Sequence, residues 1–248
     1  MINNYPLTNI YEKPSRYSNL ASQMLYGEKF KIISKTNSWL KIKTEFDNYI
    51  GYIKKNKFIE HFKASNKVYK LNTRIFKKKK NKMIPTQKFL FFGSKISICN
   101  KKNKFIEFSK NKWIKKTDTK NIHHQEKNFS KIIKLFLNTK YLWGGKSSKG
   151  IDCSALIQIY FFYNGFFFHR DTKDQIRFLK QIPRKNIYNK RNLIFWKGHV
   201  AYCLNKRYLI HAYGPRKKVL IMNIKKTIEE IQTKSRLTVK GIRTINVD

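Results

Sequence analysis

One cysteine and two histidines in this chain are spaced for acyl-transfer chemistry. Cys153 lies in "GIDCSALIQIYFFYNG" (150–165), between Asp152 and Ser154 and directly before a long apolar run. At the first turn of a helix a cysteine meets free backbone N–H groups and the positive end of the helix dipole. Both favour thiolate, so a lowered pKa is expected. A thiolate still needs a proton donor for its leaving group, and an imidazole within hydrogen-bond reach supplies one. His199 opens "HVAYCL" and His211 lies in "YLIHAY".

The intervening "NKR" (205–207) reads as a hairpin turn. A three-residue loop puts residue 201 opposite residue 211, and the strand period of two then puts His199 and His211 on one face as diagonal neighbours. One is the base; the other holds its second ring nitrogen. A two-residue loop would split them across the sheet. Cys153 can instead be a small core residue, since buried cysteine is common. The same three residues suit zinc by ligand type, but no Cys-x-x-Cys or His-Glu-x-x-His spacing supports a metal site, and neither a metal nor a cofactor is expected. His61, His123, His124 and His169 read as surface or packing residues. Cys99 reads as core, and Cys203 shares the His199 face by parity.

The elements that must hold these residues fall after about residue 121. "NFSKIIKLFLNTK" has Phe129, Ile132, Ile133, Phe136 and Leu137 at helical spacing, with Ser130 near its start. Gly144–Gly145 and Ser147–Ser148 form a loop. Asp152 or Cys153 then opens a helix running to about Tyr163 and ended by Asn164–Gly165. "NLIFW", "HVAYCLN", "YLIHAYG" and "KVLIMNI" follow as strands. Helices first and strands after make an α+β pattern.

The first 120 residues read as short strands carrying an internal repeat. "YGEKFKIISKTNSWLKIKT" (26–44) aligns with "FGSKISICNKKNKFIEFSK" (92–110). Gly27 matches Gly93, Phe30 matches Ile96, Ile32 matches Ile98, Trp39 matches Phe105 and Ile42 matches Phe108. "GYIKK" (51–55) answers "KWIKK" (112–116). Matching apolar positions at one offset mean two copies of a small β-module, which resembles the bacterial SH3-like barrel. The domains expected are a first barrel at 1–62, a second at 63–120 and a third domain at 121–248.

The charge is strongly basic: 55 Lys+Arg against 14 Asp+Glu, a formal net charge of +41. Such an excess suits a polyanion partner. It also suits the coding bias of an AT-rich genome, which enriches Lys, Asn, Ile, Phe and Tyr together. The even spread of lysines along the chain favours bias, so no specific nucleic-acid partner is expected, and "FKKKKNK" (76–82) reads as a solvated loop. No basic segment followed by an apolar one opens the chain. No window reaches the roughly 18 apolar residues of a membrane span. Three cysteines at wide spacing, 99, 153 and 203, argue against a disulfide framework. A cytoplasmic protein without a membrane partner is the expectation; oligomeric state is left open.

"YLWGG…GIDCSALIQ", then "GHVAYCL" and "LIHAYG", resembles the NlpC/P60 family of cysteine peptidases over about residues 125–215. The matching residues are Tyr141, Gly144, Gly145, Asp152, Cys153, Ser154, His199 and His211. "HRDTKDQ" (169–175) resembles the Pro-Arg-Asp-Ser/Thr…Gln stretch of that family. Two departures stand out: Ala155 replaces the usual Gly after Cys-Ser, and "KRN" (190–192) replaces a Pro-Gly-Asp turn.

The resemblance implies a papain-like domain, helices packed on an antiparallel sheet. It also implies roles. Cys153 attacks the carbonyl, His199 moves the proton and His211 orients His199. The Cys153 N–H and the Tyr141 hydroxyl hold the oxyanion. Asp152 and Ser154 meet a substrate ammonium and polar groups. Arg170 and Thr172 meet a substrate carboxylate, or Arg170 pins the helix in an ion pair. Two SH3-like modules ahead of such a domain resemble the intracellular branch, which acts on released murein peptides; the implied reaction frees L-Ala-γ-D-Glu from meso-diaminopimelate. Glu28 offers a second carboxylate for the substrate amine. Three other readings stay open: an amidase or acyltransferase using the same thiol, a catalytically dead wall- or polyanion-binding protein, and an exported endopeptidase.

Overall fold

The computed structural model describes residues 1–182 and 188–245. The chain divides into two compact units: Met1–Gln125 with Lys146–Ser148, and Glu126–Gly145 with Lys149–Asp248.

The first unit holds two β-modules. β1 (Leu7–Tyr11), β2 (Leu20–Leu25), β3 (Phe30–Lys35), β4 (Trp39–Thr44) and β5 (Ile50–Lys54) make one sheet in the order β2-β1-β5-β4-β3. Alternation in "WLKIKT" sends Leu40 and Ile42 inward. They meet Ile10, Met24, Phe30 and Ile53 in a closed core. The second module has β6 (Asn66–Val68), β7 (Asn72–Lys79), β8 (Lys82–Phe91), β9 (Lys95–Ile96), β10 (Asn100–Lys102), β11 (Phe105–Ser109), β12 (Lys112–Lys115) and β13 (Thr119–Asn121). Its sheets run β10-β11-β12-β7-β8 and β13-β6-β9.

The repeat keeps its turn glycine and its buried positions in both copies, although the stretch that is one strand, β3, in the first is broken into β9 and β10 in the second. Gly27 and Gly93 both take left-handed backbone, φ +80° and +84°. Phe30 and Ile96 are both fully buried, as are Ile42 and, within 3%, Phe108.

Three expectations for this unit need correction. "FKKKKNK" is no loop: it runs along β7 and into β8, with Lys79 paired to Lys82 across a tight turn at Lys80, φ +52°. Its lysines are solvated because a two-stranded ribbon leaves alternate side chains in water. Cys99 is exposed, not core, because it lies between β9 and β10, outside the strand that would have turned it inward. Glu28 is also enclosed, at 3% exposure. Both its oxygens accept from Lys146 Nζ at 3.0 Å, and one accepts from the Leu25 N–H at 2.7 Å. It presents no open carboxylate to a substrate amine.

The second unit begins with α1 (Phe129–Lys134), capped by the Asn128 side chain on the Lys131 N–H. The predicted helix is longer than the observed one. From Leu135 to Leu137 the N–H groups bond three residues back, and Asn138, at φ +63°, ends the turn. Ser130 turns its hydroxyl to Tyr202 Oη, 3.2 Å away. After β14 (Lys146–Ser147), which belongs to the first unit, β15 (Gly150–Ile151) precedes α2 (Cys153–Asn164) and α3 (Thr172–Phe178). β16 (Asn192–Trp196), β17 (His199–Cys203), β18 (Tyr208–Tyr213), β19 (Lys218–Asn223), α4 (Ile224–Ser235) and β20 (Gly241–Thr244) complete the chain.

The sheet is antiparallel throughout, β19-β18-β17-β16-β20. Every residue of α2 is buried, as expected of a helix that is apolar all round. Phe129 joins it to the sheet, 4.6 Å from Tyr160 and stacked at 4.6 Å on Tyr202. α4 and β20 were not read from the sequence. Asn223 caps α4, and Ile224, Thr227 and Ile231 make its buried stripe. No helix among the described residues is long and apolar enough to cross a membrane.

Candidate active site

Cys153 is the first residue of α2, and its neighbours explain how it is held there. Asp152 is the helix cap: Oδ1 accepts from the Ala155 N–H at 2.8 Å. The same carboxylate fixes the preceding loop, because Oδ2 accepts from the Gly144 N–H at 2.9 Å. The Gly-Gly pair follows from that closeness. Gly144 has φ +73°. A Cβ on Gly145 would lie 2.4 Å from the Gly150 carbonyl oxygen.

Arg170 completes the brace. Its guanidinium donates to Asp152 Oδ1 at 3.0 Å, to Asp152 Oδ2 at 2.6 Å and to Ser154 Oγ at 2.7 Å. Ser154 in turn donates to Asp152 Oδ1 at 3.1 Å. Asp152, Ser154 and Arg170 are all buried, at 6%, 6% and 3% exposure. The Asp152 carboxylate accepts from five donors and has no open face for a substrate ammonium; Arg170 sits in the ion pair and not toward a substrate carboxylate. Gln175, fully buried, ties α3 to this group by donating to the Ser154 and His169 carbonyls at 3.0 and 2.8 Å. Among the described residues no hydrogen bond joins Thr172, which opens α3, to the cluster.

Removing one partner of a buried pair strands the other charge, at a cost of about 3–5 kcal/mol. Arg170→Ala is therefore expected to lower unfolding stability by about that amount, read as a shift of the urea midpoint. A change below about 1 kcal/mol would mean that water reaches the Asp152 carboxylate.

The histidines come together as the hairpin register requires. Tyr202 pairs with Ile210 and Cys203 with Leu209, the register of the three-residue loop. His199 Nε2 lies 2.9 Å from His211 Nδ1. His211 Nε2 lies 3.3 Å from Met222 Sδ on β19. His211 also stacks on Tyr213, with ring centroids 4.8 Å apart and planes 13° from parallel. Trp196 and Tyr213 flank His199 at 5.5 and 5.7 Å. The Cys153 sulfur lies 3.8 Å from the Gly198 carbonyl and is close to the Val200 N–H, so backbone on both sides of His199 borders it. Cys203 is fully buried in the core below.

The electrostatics overturn one expectation. Burial, then the adjacent Asp152 carboxylate, pushes the Cys153 thiol up to about 12, against the pull of the Val200 and Ser154 N–H groups and Arg170. The helix start alone would lower it, but its cap is an anion next to the sulfur. Burial pushes His199 down to about 4. Both groups are neutral at rest. The Tyr141 hydroxyl is pushed up by burial, with Cys153 and Asp152 close by, so it stays protonated and able to donate. Its ring lies against Gly214. The Cys153 N–H, in the first turn, has no helical carbonyl to donate to.

Alkylation of Cys153 by iodoacetamide is expected to accelerate about tenfold per pH unit from about pH 7 to 9, because thiolate grows at that rate below a pKa of about 12. A plateau across that range would reveal a resting thiolate–imidazolium pair instead.

Comparison with known proteins agrees with this architecture. Residues 10–58 match the bacterial dipeptidyl-peptidase SH3 domain, and residues 138–237 match the NlpC/P60 family. Dipeptidyl-peptidase 6 of Lysinibacillus sphaericus is 25% identical over 234 residues, 83% of this chain and 84% of that protein. The gamma-D-glutamyl-L-lysine dipeptidyl-peptidase of Bacillus subtilis (strain 168) is 24% identical over 236 residues, 85% of this chain and 78% of that protein. The crystal structure of an NlpC/P60 family protein from Bacillus cereus shares the fold, with a TM-score of 0.82 at 16% identity, covering 100% of this chain and 99% of that one. Behind a bacterial dipeptidyl-peptidase SH3 domain, then, this chain carries a domain of the NlpC/P60 family.

Proposed function

We propose that the protein is a cysteine peptidase of cell-wall peptides, cleaving after γ-linked D-glutamate and releasing L-Ala-γ-D-Glu from a diamino acid. The observation that carries this reading is one buried thiol at a helix start, bordered by the backbone around a histidine that is itself held by a second histidine. The two dipeptidyl-peptidase relatives support the substrate class, and one of them is named for γ-D-glutamyl-L-lysine.

The steps follow from the resting charges. Cys153 Sγ attacks the γ-carbonyl carbon of D-glutamate while its proton passes to the free nitrogen of His199. Attack and proton transfer are concerted, because neither thiolate nor imidazolium is populated beforehand. The Cys153 N–H and the Tyr141 hydroxyl receive the oxyanion. Collapse breaks the C–N bond, and His199 returns the proton to the leaving amine. Water then gives its proton to His199 and attacks the thioester, and Cys153 leaves and is reprotonated. Asp152 and Arg170 act by holding the nucleophile's turn, not by touching substrate.

The test is incubation of the full chain with L-Ala-γ-D-Glu-meso-diaminopimelate and with the L-lysine analogue, following released amine. Release from either peptide supports the reading, and their ratio gives the preference. Folded protein that releases amine from neither contradicts it and favours the acyltransferase or wall-binding alternatives. An enzyme confined to released peptides in the cytoplasm would spare intact wall, whereas an exported endopeptidase would digest it.

A further inference from the structure

We propose that Met222 is a positioning residue that sets the tautomers of the histidine pair and so keeps His199 in the form able to take the Cys153 proton. The inference rests on the reading of Cys153 and His199 as nucleophile and base.

The three side chains form a diagonal across three neighbouring strands. Cys203 pairs with Leu209, and Leu209 pairs with Met222. His211 stands two residues beyond Leu209, on the same face. His199, His211 and Met222 are thus successive steps on one side of β17, β18 and β19, with 2.9 Å between the ring nitrogens and 3.3 Å from nitrogen to sulfur.

A proton count along this line has one solution. A thioether carries no hydrogen and can only accept. A bare imidazole nitrogen 3.3 Å from it would set two lone pairs against each other, so His211 Nε2 carries the hydrogen. His211 is fully buried, and its pKa lies well below the ordinary range, because of burial and then of His199, so the ring is neutral. A neutral ring has one N–H. His211 Nδ1 is therefore bare and accepts, and its partner His199 Nε2 donates. His199, also neutral, keeps Nδ1 bare. That nitrogen is the base.

The reversed chain is the failure state. With its hydrogen on Nδ1, His211 would donate to His199 Nε2. The His199 hydrogen would then sit on Nδ1, where it blocks proton transfer from the thiol. Among the described residues two other rings face the pair: Tyr213 stacks on His211, Trp196 and Tyr213 are tilted against His199, and neither the Trp196 Nε1 nor the Tyr213 Oη makes a hydrogen bond that would select a tautomer. The thiol of Cys153, as donor to His199 Nδ1, favours the same order from one end, and among the described residues the Met222 thioether fixes it from the other.

The test uses full-length protein with ¹⁵N-labelled histidine and long-range ¹H–¹⁵N spectra at neutral pH. Wild type is expected to show both His199 and His211 as Nε2–H. Met222→Leu keeps the volume and removes the acceptor. It should populate the Nδ1–H forms and lower kcat about fivefold, with KM little changed. Met222→Gln, whose amide oxygen accepts, should restore the Nε2–H spectrum and most of kcat. His199 as Nδ1–H in wild type overturns the proposal, as does a Met222→Leu spectrum and kcat identical to wild type. Should the leucine variant fail to fold, the wild-type spectrum alone decides. The spectra need no substrate, so this proposal and the peptidase reading fail separately: hydrolysis that survives Cys153→Ala removes the reading and leaves the tautomers standing.

Discussion

On the proposed reading, replacing Cys153 by alanine is expected to lower kcat/KM for a γ-D-glutamyl peptide by at least about 10⁴-fold, in line with the loss of a nucleophile from other acyl-transfer sites. The adjacent hydroxyl cannot substitute. Ser154 Oγ donates to Asp152 and accepts from Arg170, so it is locked in the brace under the helix. Alanine keeps the backbone N–H and leaves the Asp152 cap on the Ala155 N–H in place. The fold should therefore survive, with a melting temperature close to wild type, and substrate should still bind. Chromatographic assay of released amine, alongside a melting curve, checks both halves. Activity within tenfold of wild type would mean that the thiol is only a core residue.

His199→Ala has the second-largest expected effect, a fall in kcat of about 10³-fold or more near neutral pH. The reason is the thiol's own acidity. With the Cys153 pKa at about 12, thiolate is scarce at pH 7, and without a base the attack has nowhere to send its proton. The sign of the pH dependence follows. In wild type His199 is neutral above about 4, so kcat/KM should stay level through neutral pH and fall only as pH drops through that value. The variant should instead gain about tenfold per pH unit as hydroxide supplies thiolate. Rate profiles of both proteins between about pH 4 and 9 make the comparison. A wild-type acid limb near 6.5, the ordinary histidine value, would contradict the lowered pKa of His199.

Much of the site was legible because its constraints are local or periodic. The helix start, its Asn164–Gly165 end and the shared face of His199 and His211 each follow from backbone rules that act over a few residues. The β-module repeat was visible because both copies need glycine at one left-handed position and apolar residues at the same strand parities. The thiol's acidity was misread because a dipole argument ignores what caps the dipole. Asp152 adds a negative charge and α2 removes water, and both terms oppose thiolate. Asp152 and Arg170 invited substrate roles because a charged residue beside a nucleophile reads as a ligand; only tertiary structure shows the two charges consuming each other. The lysine run deceived for a related reason, since strand pairing overrides the reading of a charge cluster as loop. Met222 gave no signal at all: a methionine within "KVLIMNI" is indistinguishable from core until β18 and β19 are in register. α4 was missed although its Asn223 cap and isoleucine spacing were present.

The most direct measurement is acid-quenched mass spectrometry of wild-type protein during turnover of L-Ala-γ-D-Glu-meso-diaminopimelate, with peptide mapping of any adduct. The account predicts an L-Ala-γ-D-Glu acyl group in thioester linkage on the peptide that contains Cys153, formed and lost at the rate of amine release. Turnover with the acyl group on another residue, or unchanged turnover in Cys153→Ala, would contradict it.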